Sequence, residues 1–323
     1  MTAPDPLDAE MMRLRVACAE PIAEGIVSFE LRHPDGSDLP DFTCGSHVSL
    51  RVPNGSLRKY SLSNDPAERD RYVIGVRREP DGRGGSVSLI EGTKAGDELL
   101  VSPPRNDFKL VKSAAGYVFI AGGIGITPII SMIRHLKSTG SGRFKLYYLT
   151  RNPAMTAFRE ELSGPDYRGQ VTIHHDGGDP GKAFDLWPVF EQPKGQQIYC
   201  CGPRGLMESV RDMTGHWSSS AVHFEAFNEP PRASAEDKPF RVRLARSGGV
   251  VEVPVGVTIL EALRAAGHTV PSSCESGTCD TCRTKLLDGE ADHRDLVLAE
   301  HEKDEFIMVC VSRARAEEIV IDR

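Results

Sequence analysis

Three of the chain's eight cysteines fall within nine residues, Cys274-Glu-Ser-Gly-Thr-Cys279-Asp-Thr-Cys282, and a fourth, Cys310, follows after a long gap. An even count allows disulfides, but a chain of 323 residues with this clustering does not read as a stapled scaffold. It reads as metal ligation. The pattern C-x4-C-x2-C…C is the spacing of a plant-type [2Fe–2S] cluster. Two irons bridged by two sulfides need four thiolates, two per iron, and a tight loop wraps the cluster with three of them. Ser276, Gly277 and Thr278 are small, so backbone N–H groups can approach the sulfurs and stabilise their negative charge. The competing reading is a structural zinc site, but zinc ribbons bring two separated CxxC knuckles and only Cys279–Cys282 forms one here. Cys18, Cys44 and Cys200 read as small buried hydrophobes.

At this length two or three domains are expected. With 39% hydrophobic and 26% charged residues the chain is neither disordered nor fibrous. The net charge is −7, and no Lys/Arg stripe appears, which argues against nucleic acid as a partner. The longest apolar runs, such as Tyr117-Val-Phe-Ile-Ala121, are far short of the ~20 residues a membrane helix needs. Asp5, Asp8 and Glu10 occupy a start that lacks an apolar signal core, so a cytoplasmic, membrane-free protein is expected.

Three patterns follow one another along the chain. Over residues 14–108, apolar/polar alternation in segments such as 27–31, 47–52 and 72–76 predicts short half-buried strands. The turns Pro34-Asp-Gly36, Pro53-Asn-Gly55 and Pro80-Asp-Gly82 separate them, as in a small antiparallel barrel. From Tyr117 onward, strands at 117–121, 144–149 and 197–201 alternate with helical stretches, the first predicted from Pro128 to about Lys137. That order predicts a doubly wound parallel sheet. The Pro-rich polar stretch 228–239 reads as a linker. Beyond it, 240–246 and 250–253 flank Ser247-Gly-Gly249 as a hairpin, and Thr258-Ile-Leu-Glu261 is a capping box opening a helix that Gly267 can end.

Two turns and one strand carry further chemistry. Gly122-Gly123-Ile-Gly125-Ile-Thr127-Pro128 follows an apolar strand, and its glycines let backbone amides approach a pyrophosphate at a helix N-terminus. Pro128 replaces the third glycine of the usual fingerprint, so an ordinary strand-to-helix turn stays open as an alternative. Thr150 and Arg151 stand where an acidic residue would grip a ribose. Cys201-Gly202-Pro203 forms a second such turn, and Cys201 either faces a cofactor ring or fills the core. Arg58-Lys59-Tyr60-Ser61 offers a planar fork for phosphate, an aromatic face and a hydroxyl, with Gly84-Gly85-Ser86 downstream as a candidate phosphate-cradling helix start.

In this order, Arg58-x-Tyr60-Ser61, Gly122–Pro128 and Cys201-Gly202-Pro203 resemble the signature of the ferredoxin–NADP reductase superfamily. With the cysteine domain at the C-terminus, the whole chain resembles the phthalate dioxygenase reductase family, including Val270-Pro-Ser-Ser-Cys274 and Gly289-Glu-Ala-Asp-His-Arg-Asp295. The resemblance implies an FMN-binding barrel over residues 1–109, an NADH-binding α/β domain over 110–227, a linker over 228–239 and a β-grasp [2Fe–2S] ferredoxin domain over 240–323. It implies cluster ligands Cys274, Cys279, Cys282 and Cys310. Arg58 and Lys59 would lie at the FMN phosphate, Tyr60 and Ser61 against the ring with Ser61 near N5, and Gly75-Val76-Arg77 and Gly84-Gly85-Ser86 along the rest of the site. Thr127 and Cys201 would flank the nicotinamide, Gly122, Gly123, Gly125, Pro128, Thr150, Arg151, Gly202 and Pro203 would hold the nucleotide, and Phe227 would cover the flavin. Ser61, Thr127 and Cys201 are thus the candidate catalytic residues.

Asp280 departs from the family, which often has a small residue there, and implies an altered potential or partner surface. A flavin reconciles a two-electron donor with a one-electron acceptor, so the implied activity is relay from NADH to a Rieske-type oxygenase acting on an aromatic substrate. A monomer would suffice. Service to an O-demethylase or a haem-thiolate monooxygenase is the alternative, and a zinc-stabilised nucleotide-binding module without redox chemistry is a third reading. Arg151 leaves NADPH open. His174-His175-Asp176 reads as a strand end, and His223 and Glu225 as structural.

Overall fold

The computed structural model describes residues 11–227 and 237–323. Asp5, Asp8 and Glu10, and the linker stretch 228–236, lie outside the described residues. By its contacts the chain parts into two compact units, one ending at Trp217 and including Ala221–His223, the other comprising Ser218–Ser220 and Phe224–Arg323.

The first unit opens with β1 (Met12–Ala23), β2 (Ile26–Arg32), β3 (His47–Arg51), β4 (Leu57–Ser61) and β5 (Tyr72–Arg77), followed by α1 (Gly85–Gly92) and β6 (Glu98–Val101). They form an antiparallel sheet ordered β4-β3-β6-β1-β2-β5. A bridge between Leu62 and Ile74 joins its two edges, so the sheet closes into the expected barrel. Strand alternation builds the core: Leu14 and Val16 of β1 point inward between exposed Arg13 and Arg15, and meet Phe29, Leu31, Val48, Leu50 and Ile74. Cys44 is buried, as is Cys200 further on, whereas Cys18 is only half-buried. The register of β1 against β2 slips between Val16 and Cys18, and this bulge turns Cys18 away from the inner face.

Then β7 (Tyr117–Gly122), α2 (Ile126–Thr139), β8 (Phe144–Thr150), α3 (Arg159–Leu162), β9 (Val171–His175), α4 (Trp187–Phe190), β10 (Gln197–Cys201), α5 (Arg204–Met213) and β11 (Val222–Glu225) form a five-stranded sheet ordered β11-β10-β7-β8-β9. All six residues of β7 are buried, as a central parallel strand covered on both faces requires. The chain runs outward from β7 through β8 to β9, then returns to β10 on the other side of β7. The crevice at the C-terminal ends of β7 and β10 is therefore a topological switch point. The helix expected from Pro128 starts two residues earlier. A 3-10 turn over Gly123–Gly125 runs straight into α2, which places Pro128 third in the first turn, where its missing N–H costs no i→i−4 bond within α2. Ile26, Cys44 and Phe108 pack into the core beneath β7 and α2, so barrel and parallel sheet cohere.

The second unit has its own core. It contains β12 (Phe240–Leu244), β13 (Val250–Val253), α6 (Ile259–Ala265), β14 (Arg283–Asp288), β15 (Ala291–Asp292), β16 (Phe306–Met308), β17 (Arg313–Ala314) and β18 (Glu318–Ile321). The main sheet is ordered β13-β12-β18-β14-β16, with β12 parallel to β18, and Ile259, Leu260 and Leu263 of α6 belong to its core. The capping box forms: Glu261 N–H donates to Thr258 Oγ1 at 3.1 Å and Thr258 N–H to Glu261 Oε2 at 2.8 Å. Among the described residues no helix is long and apolar enough to cross a membrane.

Candidate active site and metal centre

Arg58 crosses the start of α1. A Cβ at Gly85 would lie 2.4 Å from Arg58 Nε, so only glycine admits the guanidinium there. Arg58 donates to Leu57 O at 2.9 Å and to Arg83 O at 3.3 Å. The backbone of Gly84 is left-handed (φ 73°) and turns the chain into the helix. Two guanidiniums gather at this end, since burial first and then the Arg58 charge lower the Arg83 pKa. Arg83 was not singled out from the sequence, although it directly precedes the glycine pair. Helix N–H groups and two cations together form an anion cradle. Ser86 Oγ is occupied, accepting from Glu79 N at 3.0 Å, and Arg77 pairs with Glu79 at 3.0 Å. Lys59 is exposed, while Tyr60 is half-buried and its phenol is pushed up to about 12 by burial.

Ser61 is 4% exposed at the end of β4. The antiparallel register of the Leu62–Ile74 bridge sets it opposite Gly75. A Cβ at Gly75 would lie 2.8 Å from Thr127 Cγ2 and 3.5 Å from Ile124 Cδ1, so this glycine brings the barrel and the Gly122–Pro128 turn into contact. Val76, beside it, is buried in the barrel core. Thr127 is buried, and its hydroxyl donates to Ile124 O at 3.0 Å. Across the switch point the two turns interleave. A Cβ at Gly125 would lie 2.2 Å from Cys201 O, and one at Gly122 would lie 2.6 Å from Pro203 Cδ and 3.2 Å from Gly202 Cα. Ser61, Gly75 and Thr127 therefore lie together in the first unit, while Cys201 meets the Gly125 turn through its backbone and its fully buried side chain belongs to the core. At the end of β8 the Thr150 hydroxyl is held inward by Thr156 and His175, both at 2.8 Å, which leaves exposed Arg151 at the strand end. His174 and His175 do end β9, and His223 stacks on Tyr199 at 4.5 Å. Phe227 is exposed.

In the second unit, Cys282 directly precedes β14 and Cys310 follows β16. The pairing of Arg283 with Met308 brings these two buried cysteines together. Cys274 and Cys279 are half-buried in the loop. The loop bends through left-handed Glu275 (φ 54°) and Gly277 (φ 75°) and turns amides toward sulfur: Cys274 N–H donates to Cys279 Sγ at 3.5 Å and Ser276 N–H to Cys274 Sγ at 3.4 Å. Glu275 is steadied by Arg264 at 2.8 Å. Asp280 is well exposed, 3.7 Å from Arg283, so it belongs to the surface around the loop.

Residues 242–315 match the 2Fe-2S iron-sulfur cluster binding domain and residues 117–175 the ferric reductase NAD binding domain. The chain is 54% identical to the phthalate 4,5-dioxygenase oxygenase reductase subunit of Pseudomonas putida over 100% of both chains. It is 55% identical to the phthalate dioxygenase reductase of Burkholderia cepacia, covering 98% of this chain and 99% of that one. The chain belongs to the phthalate dioxygenase reductase family. A solved phthalate dioxygenase reductase structure, described as modular for electron transfer from pyridine nucleotides to [2Fe–2S], agrees at a TM-score of 0.72 over 98% of this chain and 99% of that one. As a family member, the protein is an NADH-dependent flavin and iron–sulfur oxidoreductase, the electron-transfer reductase of an oxygenase system, and its cofactors are FMN, NADH and a [2Fe–2S] cluster.

The residues present fit those groups. The four thiols form a chain of contacts, Cys279 to Cys274 to Cys310 to Cys282. Hydrogen bonds from Cys279 and Cys310 push Cys274 down, one from Cys310 pushes Cys282 down, and Cys279 and Cys310 are raised in return, first by Cys274. The four cysteines' C-x4-C-x2-C…C spacing, with a single CxxC knuckle, suits a pair of irons better than a zinc ribbon.

Proposed function

We propose that this protein carries electrons from NADH to a Rieske-type oxygenase acting on an aromatic substrate, as a cytoplasmic monomer. Its working division is a flavin barrel over residues 1–109, a nucleotide domain over 110–227, a linker over 228–239 and a β-grasp ferredoxin domain over 240–323. The contact of Gly75 with Thr127 carries this reading, because it brings the barrel's Ser61 end against the nucleotide turn.

In this reading, Arg58 and the amides of α1 from Gly85 hold the FMN phosphate, joined by Arg83, while Lys59 lies at its outer edge. Tyr60 packs beside the ring, the buried hydroxyl of Ser61 hydrogen-bonds it near N5, and Gly75, Val76 and Arg77 form the strand along it. Gly122, Gly123 and Gly125 present amides to the pyrophosphate of NADH at the start of α2, where the helix dipole favours an anion. Pro128 stiffens that start, Gly202 and Pro203 close the opposite wall, and Arg151 reaches the ribose while Thr150 fixes the strand end from which it projects. Thr127, its hydroxyl held by Ile124 O, and Cys201 flank the nicotinamide. Phe227 covers the flavin. Cys274, Cys279, Cys282 and Cys310 ligate the cluster. When bound, FMN takes the hydride pair and the cluster passes electrons singly. The side chains supply orientation and exclusion of water, and no acid or base is required of them.

The test is anaerobic titration of the holoprotein with NADH and with NADPH, then mixing with a panel of Rieske proteins and a haem-thiolate monooxygenase. Bleaching of flavin and cluster by NADH, with transfer to a Rieske protein, is expected. Transfer to the haem protein alone would overturn the partner assignment, and preference for NADPH would overturn the donor.

A further inference from the structure

Behind the cysteine loop lies a charged group that the ligand set does not use. The side chain of Asp295 has no exposed surface. A buried carboxylate is costly unless its charge is met by donors. Here Oδ2 accepts from Val297 N at 3.1 Å and Leu298 N at 2.8 Å, Oδ1 accepts from the Ser312 hydroxyl at 3.4 Å, and His293 Nδ1 lies 3.8 Å away. Burial pushes this carboxyl up, but His293 and the two amides more than offset it and hold its pKa below the ordinary value. Asp295 is therefore an anion at neutral pH. The neighbouring Arg294 is engaged elsewhere, donating to Asp292 at 2.6 Å and to Asp237 at 3.2 Å.

The contacts of Asp295 reach both pieces of chain that carry cysteines. A Cβ at Gly277, inside the loop, would lie 3.1 Å from Asp295 Cα and 2.7 Å from Val311 Cγ2, and Leu296 N–H donates to Gly277 O at 2.9 Å. Ser312 stands two residues past Cys310. Its other partners are the His293 ring and the backbone amides of Val297 and Leu298.

We propose that Asp295 is a positioning residue for the [2Fe–2S] centre: it ties the cysteine loop to the Cys310 segment, and its fixed negative charge holds down the reduction potential. The inference rests on the reading that the four cysteines ligate the cluster. An electron arriving beside a buried anion meets repulsion that water does not screen, and cluster potentials follow local charge and hydrogen bonding.

The experiment is an anaerobic, dye-mediated redox titration of the full-length holoprotein, followed by electron paramagnetic resonance of the reduced cluster. Asp295→Asn keeps the shape and can still accept from the amides. Its one-electron equilibrium with the reference dye should shift at least tenfold toward reduction, about 59 mV, with the flavin potential unmoved. Asp295→Glu keeps the charge and should stay near wild type. An Asn variant with the wild-type potential overturns the proposal, whereas one that folds without assembling a cluster while the Glu variant assembles it supports the bracing role. Should the Asn variant not fold, Ser312→Ala removes the side-chain link to the Cys310 segment, together with the bond that the same hydroxyl accepts from Arg294 N, and leaves the Asp295 charge in place: a shifted potential there supports the proposal and an unchanged one overturns it. Wild-type protein without a [2Fe–2S] signal would defeat the ligand reading first.

Discussion

His47 opens β3 opposite Ser61 and is 7% exposed. Burial, and secondarily the charge of Lys59, depress its pKa from 6.5 to about 4. A base depressed in the folded state binds its proton first when unfolded, so its effect on stability is absent above about pH 6.5 and grows as the pH falls toward 4. Between about pH 7.5 and 5 this one residue should cost about 2 kcal/mol of stability. Urea unfolding at the two pH values measures it, and His47→Gln should remove that part of the pH dependence. A site such as this is invisible in a sequence because burial comes from chain segments far apart. The same is true of Asp295, whose partners Gly277 and Ser312 lie on separate segments, and of Arg83, which gains its setting from Arg58. The iron–sulfur domain was legible because cluster geometry fixes a short cysteine spacing on one loop, which requires no knowledge of the fold.

Elements were legible wherever burial imposes a period. The unbroken apolar run of β7 and the alternation of β1 follow directly from two covered faces and one. The start of α2 was misplaced because Pro128 reads as a first-turn signal without saying which position of that turn it fills. The turn itself shows two glycines doing different work. Gly125 has an ordinary helical backbone (φ −61°), and its need is space, since a side chain would meet Cys201 O at 2.2 Å. Gly123 is left-handed (φ 53°) with nothing within 4 Å, and its need is conformational. Gly125→Ala must push the end of β10 away and should lose about 1–3 kcal/mol, with KM for NADH raised roughly tenfold. Gly123→Ala should lose only roughly 1 kcal/mol of strain. Thermal unfolding and steady-state kinetics of the two variants side by side check the contrast, and equal losses would show that the Cys201 turn is not clamped.

The whole chain divides its chemistry between units with separate cores. The residues proposed for flavin and NADH lie in the first, apart from Phe227, and the four cysteines lie in the second. Hydride capture and single-electron delivery should then fail independently. Of the four proposed ligands Cys279 is the one to change, since it is half-buried in the loop, whereas Cys282 and Cys310 are part of the second core, where replacement would also damage packing. In Cys279→Ser the thiolate that receives the Cys274 N–H is lost. The cluster's visible bands should disappear while flavin reduction by NADH stays within roughly twofold of wild type, because the cofactor that takes the hydride is held by other residues. Reduction of ferricyanide, which a reduced flavin can carry out directly, should persist, and electron delivery to the oxygenase partner should fall by at least ~100-fold. Stopped-flow flavin bleaching and partner reduction, measured on one preparation, separate the two steps. A variant that loses flavin reduction together with the cluster would show that the second unit governs hydride transfer as well.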